Sequence, residues 1–353
     1  MDPIERYNKL LLNTVMEDYN NITRSKLIKK LLESEIASKK KKDVDAVYIV
    51  SIAQKEKFRQ CLEKNRNTIK EIELLEINKG YKYSIPYKIY NVNFEKLSEF
   101  AINIEKYNWN EFKEEDISKP VYIDNENICA IKFHKEIDCV DSDSGKKVHI
   151  RYPLLMVINK KYNILEYRFD RIVHKRDDVF YSRTIEGISD FCSKLNLDIV
   201  PYELGAPLAE IVKNYPKDAE EEVCSMGFPG EKGVIVKYGK NRTMPVLGEL
   251  EELVQNNKEI FGEKAKEIID GFIFEKKVLS SKHYREIRWL NNAYNGNTSD
   301  ENKKFLKTKI IFNYKGKHRD LIDFHYSNLN DMERMNNVIE FIDKINNNIK
   351  KWW

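Results

Sequence analysis

Cationic side chains gather at three places in this 353-residue sequence. Arg168, Arg171, His174, Lys175 and Arg176 crowd together, with Arg183 just beyond. Lys237, Lys240 and Arg242 surround a second point, and Lys315, Lys317, His318 and Arg319 form the third. Tyr167, Tyr181, Tyr238 and Tyr314 lie among them. Lysine and arginine on exposed turns neutralise phosphates, and neighbouring aromatic rings stack on bases. The chemistry these residue types offer is therefore recognition of nucleic acid. The expected contacts are Arg168, Arg171, Lys175, Arg176, Lys237, Lys240, Arg242, Lys315, Lys317 and Arg319. Glu166, Asp170, Asp177 and Asp178 offset much of the first group, which is what a merely solvated surface would also show.

Acidic residues suggest a second chemistry. Asp138, Asp141 and Asp143 are hard oxygen donors on one short stretch, the kind of set that suits Mg²⁺. The stretch ends in Ser144-Gly145, however, which is ordinary turn chemistry. Glu166-Tyr167-Arg168 resembles the Glu-x-Lys element of PD-(D/E)xK nucleases, with arginine where those enzymes carry lysine. Arginine stays protonated and cannot replace a lysine of adjustable pKa. A divergent metal-dependent nuclease using Asp138, Asp141, Asp143 or Glu166 is thus the alternative reading. The run Arg319 to His325 has the Arg-polar-x4-His spacing of HEPN RNases. Those enzymes place the pair on a helix, whereas the β-prone Ile310-Ile311-Phe312 and the turn Lys315-Gly316-Lys317 predict a strand.

Standard catalytic signatures are missing. The sequence holds no G-x4-GK[ST], HExxH or GxSxG. In the Gly-rich patch 227–233, Lys232 is followed by glycine rather than serine or threonine. No two of the six histidines lie closer than seven residues, so no pair can clamp a metal on one helix face. No catalytic residue, metal or cofactor is assigned, and a non-enzymatic role is expected.

Composition narrows the setting. Sixty-one basic residues nearly balance 57 acidic ones, leaving a net charge of +4, so any nucleic-acid surface must be local. The five cysteines are scattered, as suits buried thiols in a reducing cytoplasm. No apolar run approaches the roughly 20 residues that a membrane helix needs. Heavy use of Lys, Ile and Asn suggests an AT-rich bacterial genome. A motif-poor chain of that origin is expected to be a component of a larger assembly, phage defence among the options. The terminal Trp352-Trp353, after Lys350-Lys351, either folds back or docks a protein partner. A scaffold role through the last helix and those tryptophans is the third reading.

The elements that must position these groups follow from periodicity. Helical spacing of Ile4, Tyr7, Leu11 and Val15, and of Leu27, Leu31 and Leu32, predicts two helices over 4–36, Thr23 capping the second. The lysine run 39–42 leads to a strand over 46–50, followed by one charged helix over 55–75. A strand is predicted over 81–92, and a helix from Asn93 to about Tyr107. The polar, Pro-terminated stretch 111–120 marks an expected boundary, separating an N-terminal α/β unit (1–115) from an antiparallel-sheet domain (116–353). Strands over 128–137, 148–158 and 164–172 form a meander. In the last of these, Leu165, Tyr167 and Phe169 alternate with Glu166, Arg168 and Asp170, which predicts one wet face. Helices are expected near 182–195 and 204–214 and two more over 247–277, with a strand over 234–238 and a hairpin over 308–314 and 321–326. A last helix is expected from Asn330, its stripe Met332, Met335, Val338, Ile339, Ile342 and Ile345 needing a partner to cover it. The fold class is α+β, a mainly antiparallel sheet with flanking helices.

Overall fold

The computed structural model describes residues 2–41, 43, 45–90, 96–171, 178–227, 235–239, 247–279, 281–290, 305–325 and 330–350. The protein is α+β, and the chain forms two compact units, Met1–Val200 with Ser327–Glu333, and Pro201–Tyr326 with Arg334–Trp353. The polar stretch 111–120 lies inside the first unit, where short 3-10 turns occupy Trp109–Glu111 and Glu114–Asp116.

The first unit opens with α1 (Pro3–Asn13), which continues as a π-turn through Thr14–Asp18. Helix α2 (Asn21–Glu33) is capped by Asn20, whose Oδ1 accepts from the Thr23 amide at 2.9 Å. Thr23 is thus the donor one turn in, and the cap expected of it belongs to Asn20, whose side chain reaches that amide. Strands β1 (Ala37–Ser38) and β2 (Val47–Tyr48) pair in parallel. The single helix expected over 55–75 is two, α3 (Gln54–Lys64) and α4 (Asn67–Asn78). Asn65 breaks it: its backbone is extended and its Oδ1 accepts from the Asn67 amide at 3.0 Å, a local bond that competes with the helix.

Next come β3 (Tyr83–Tyr90), the one-turn α5 (Leu97–Phe100), β4 (Ile102–Asn103) and β5 (Val121–Asp124). The helix expected from Asn93 shrinks to that turn, and Asn93 itself lies outside the described residues. Strands β6 (Ile128–Val140), β7 (Lys147–Asn159) and β8 (Ile164–Phe169) form the expected meander, with Ile137 opposite Ile150 and Leu154 opposite Phe169. Helix α6 (Asp178–Lys194) and β9 (Asp198–Pro201) follow. The strand order of this unit is β3-β8-β7-β6-β5-β4, antiparallel except for β4 with β5.

The wet face expected on β8 is absent, because all six of its residues are buried. Its polar side chains neutralise one another. Arg168 Nη2 donates to Glu166 at 2.5 Å, and Ser84 Oγ to the same carboxylate at 2.6 Å. A larger ionic knot lies deeper in the core. Glu73 and Glu76, three residues apart on one face of α4, meet Lys132 of β6 and Arg151 of β7. Tyr19 donates to Glu76 at 2.6 Å, Tyr7 accepts from Arg151 at 2.7 Å, and Thr14 Oγ1 in the π-turn accepts from the Arg151 amide at 2.8 Å. Two positive and two negative charges close the account, as burial demands.

The second unit contains α7 (Gly205–Asn214), β10 (Ala219–Gly227), β11 (Ile235–Gly239), α8 (Leu247–Asn256) and α9 (Lys258–Leu279). It continues with β12 (Ser281–Trp289), β13 (Leu306–Ile311) and β14 (Leu321–Phe324). The last helix, α10 (Met332–Lys350), begins in the first unit's closing segment, two residues later than Asn330. Asn330 is buried instead, its carbonyl accepting from the Gly80 amide at 3.2 Å. The strand order is β11-β10-β12-β13-β14, antiparallel throughout. Ile287, Trp289, Leu306, Ile310, Ile322 and Phe324 bury one face of this sheet. The Met335, Val338, Ile339, Ile342 and Ile345 stripe of α10 is buried as its spacing predicts, and Phe341 sets its ring edge-on to Trp289.

Candidate nucleic-acid interface

The opposite face of the second unit's sheet carries charge. Along β12, Tyr284, Glu286 and Arg288 alternate with the buried Ile287 and Trp289, and along β13 Lys307 and Lys309 alternate with Leu306, Thr308 and Ile310. Side chains two residues apart on a strand share a face, so the register sets Lys309 beside Glu286 and Lys307 beside Arg288.

This face has two ends of different character. At one end Glu222 of β10 accepts from Arg288 at 2.5 Å and Lys307 at 3.0 Å, and Glu220 stands 3.7 Å from Arg288. Burial would raise the Glu222 carboxyl, but Lys307 and Arg288 outweigh it and hold the group below its ordinary value. That end is self-neutralised.

At the other end the half-buried Tyr284 ring has the Lys309 ammonium 3.7 Å from its centroid and the Lys237 ammonium at 5.8 Å, lysines that arrive from β13 and β11. The Lys309 ammonium stands 3.9 Å from the Glu286 carboxylate, and Asp323 lies opposite Lys309 in the register. Tyr284 pairs with Ile311, and the Phe312 amide donates to His283 at 3.0 Å, so the basic turn starts immediately beyond.

That turn is tightly built. Asn313, Lys315 and His318 all have positive φ, of 46°, 54° and 50°, a conformation that side chains rarely adopt without local bonds to hold it. The bonds are present: the His318 amide donates to Asn313 Oδ1 at 2.9 Å and the Tyr314 amide to the Arg319 carbonyl at 2.7 Å. Asp320 accepts from the Asn313 and Leu204 amides at 3.0 and 2.9 Å. Burial pushes the Asp320 carboxyl up despite those two donors. Lys315, Lys317 and His318 are exposed; Arg319 is half-buried, and its Nε has no hydrogen-bond partner among the described residues.

Four of the ten cations singled out by the sequence, Lys237, Lys315, Lys317 and Arg319, therefore belong to one unit, at or beside the Tyr284 end of its sheet. Arg168 is not a surface residue: it is fully buried on Glu166, so a phosphate cannot reach it. Tyr167 is buried too. Arg171 is exposed in the first unit. His174, Lys175, Arg176, Lys240, Arg242, Trp352 and Trp353 lie outside the described residues. Tyr284 and Lys309 are not among the expected contacts; Lys309 lies in the strand expected over 308–314, alternating with the buried Thr308 and Ile310, and that alternation is the signal that carries it.

The acidic candidates are dispersed. Asp138 pairs with Lys147 at 2.7 Å and His149 at 3.0 Å across the β6–β7 hairpin. Asp141 accepts from the Ser144 amide at 2.7 Å; hydrogen bonds from the Ser144 hydroxyl and then its amide hold the Asp141 carboxyl below the usual range, and both Asp141 and Asp143 face Lys55. Among the described residues no group of three His, Cys, Asp or Glu side chains converges to hold a metal. The segment Leu321–Phe324 is a strand, as the β-prone Ile310-Ile311-Phe312 and the turn at Lys315-Gly316-Lys317 predict. Among the described residues no helix is long and apolar enough to cross a membrane. No protein-family model, curated protein or solved structure matches the chain.

Proposed function

We propose that the protein is a nucleic-acid-binding component of a larger assembly, and that it holds a single strand at the Tyr284 end of the second unit's sheet. The observation that supports this is the Tyr284 ring with two ammonium groups beside it and a basic turn next to it. Cations beside a partly exposed ring provide phosphate contacts and a stacking surface together, and bases stacked inside a duplex cannot use the ring. Five cations, Lys237, Lys309, Lys315, Lys317 and Arg319, stand against Glu286, Asp320 and Asp323.

Anisotropy titrations of labelled single-stranded and duplex oligonucleotides over a range of salt test this reading. The expected result is preference for the single strand, with affinity falling as salt rises. Tyr284→Ala should weaken binding by roughly 1–3 kcal/mol, as loss of one stacked base does. Lys309→Glu combined with Lys317→Glu should weaken it further and flatten the salt dependence. Binding that ignores both changes, or that is absent at low salt, rejects the proposal.

A further inference from the structure

The first unit holds a cleft of about 510 Å³ that the polynucleotide reading does not use. Six cationic side chains line it: Lys26, Lys29 and Lys30 from α2, Lys79 and Lys82 on the approach to β3, and Arg171 just after β8. Three carboxylates share the lining, and two of them are committed. Asp170 accepts from Lys79 Nζ at 2.7 Å and from the Lys82 amide at 2.8 Å. Glu33 stands 3.5 Å from Lys29. The third is Asp18. Lys26 and Arg171 are exposed, and among the described residues neither has a carboxylate partner. The cleft therefore keeps a surplus of positive charge.

Its floor is fixed. Tyr19 is buried and donates to Glu76 of the ionic knot at 2.6 Å, and the Lys79 ammonium rests 4.7 Å from the centroid of the buried Tyr81 ring. A rigid wall with cations already in place lowers the ordering cost of binding an anion. The volume falls within the roughly 300–1,000 Å³ typical of small-molecule sites. Several separate cations around one concavity suit a ligand with several negative charges better than one with a single charge.

We infer that this cleft binds the polyphosphate group of a small molecule of nucleoside-triphosphate size. The inference rests on the first unit alone and is independent of the single-strand reading.

Isothermal titration of the full chain with inorganic triphosphate, ATP and AMP tests it. Triphosphate and ATP should bind at moderate salt, with AMP at least tenfold weaker. Lys26→Glu and Arg171→Glu should each weaken triphosphate and ATP binding at least tenfold. Both positions are exposed, so unchanged thermal melting is expected. Tyr284→Ala should leave this binding intact while weakening the oligonucleotide, which separates failure of one proposal from failure of the other. Absence of heat with both polyphosphates, or binding in both charge-reversal variants as tight as in the wild type, overturns the assignment. Displacement of triphosphate by an oligonucleotide, lost in Lys26→Glu, would overturn it in favour of a polymer backbone.

Discussion

Arg151 Nη2 and Glu76 Oε2 meet 2.6 Å apart, and neither side chain reaches solvent. Lys132 donates to the same oxygen at 2.5 Å, so one carboxylate oxygen serves two cations from adjacent strands. Burial alone would raise the Glu76 carboxyl, but Arg151 and Lys132 reverse the effect and keep it ionised. Glu76→Gln would leave an uncompensated positive charge in the core. The expected cost is about 3–5 kcal/mol, read from urea unfolding. Glu76→Gln with Lys132→Met removes one charge of each sign and should recover a large part of that loss. Wild-type stability in the single variant would mean that the charges are hydrated rather than mutually compensated.

His134 makes the first unit sensitive to mild acid. Burial first, then Arg151 and Lys132, lower its pKa from 6.5 to about 3. Between those values the unfolded chain binds a proton that the folded chain refuses, so stability falls as pH drops below 6.5 and the loss continues to about 3. The ring is partly exposed, and solvent screening reduces the effect to on the order of 1 kcal/mol by pH 5. His134→Gln should flatten the stability profile over this window in denaturant titrations at successive pH values. An unchanged profile would assign the acid sensitivity to other groups.

The two kinds of charge differ in how legible they are in sequence. Lys315, Lys317 and Arg319 are readable because glycine and lysine between two β-prone runs mark a turn, and turns are exposed. Arg168 reads as exposed for a different reason, the charge alternation of its strand, and is buried, since the partners of that face come from afar: Glu166 is held by Ser84, 82 residues earlier, and Arg168 itself donates to the Met332 carbonyl at 3.4 Å. Alternation of charge along β8 indicates two faces but not whether something covers both. Glu73 and Glu76 read as part of a charged helix for the same reason, their cations lying more than fifty residues downstream. Strand β12 escaped notice because Arg285 interrupts the polar-apolar alternation, and with it went Tyr284. The α+β class, the meander and the buried stripe of α10 were carried by local pattern alone.

Trp289 and Thr308 give a test of the second unit's core. The indole Nε1 donates to Thr308 Oγ1 at 2.8 Å, with both residues buried across the β12–β13 pair. Thr308→Val keeps the shape and removes the acceptor, leaving a buried donor unsatisfied at a cost of about 1–3 kcal/mol. Thr308→Ser retains the hydroxyl and should cost less than the valine. A valine variant as stable as the wild type, with the serine variant destabilised, would show that the methyl group, not the hydrogen bond, carries the contribution.

Glu222 separates the neutral end of the second unit's sheet from the cationic end, and under the proposed single-strand reading removing its charge should tighten binding rather than weaken it. The carboxylate holds Arg288 at 2.5 Å and Lys307 at 3.0 Å, and those cations keep it ionised at any pH near neutrality. Glu222→Gln keeps the size and a hydrogen-bond acceptor but releases both cations. They share a strand face with Tyr284 and Lys309, so a bound single strand could extend over them. Each additional phosphate contact steepens the dependence of log affinity on log salt by about 0.7 for a single strand. The expected outcome is tighter binding at low salt and a slope steeper by roughly 1 to 1.5. Anisotropy titrations at four or more salt concentrations measure both. Tighter binding with no change in slope would mean that Glu222 acted only by repelling the strand at long range; weaker binding would mean that it orders Arg288 and Lys307 for contact.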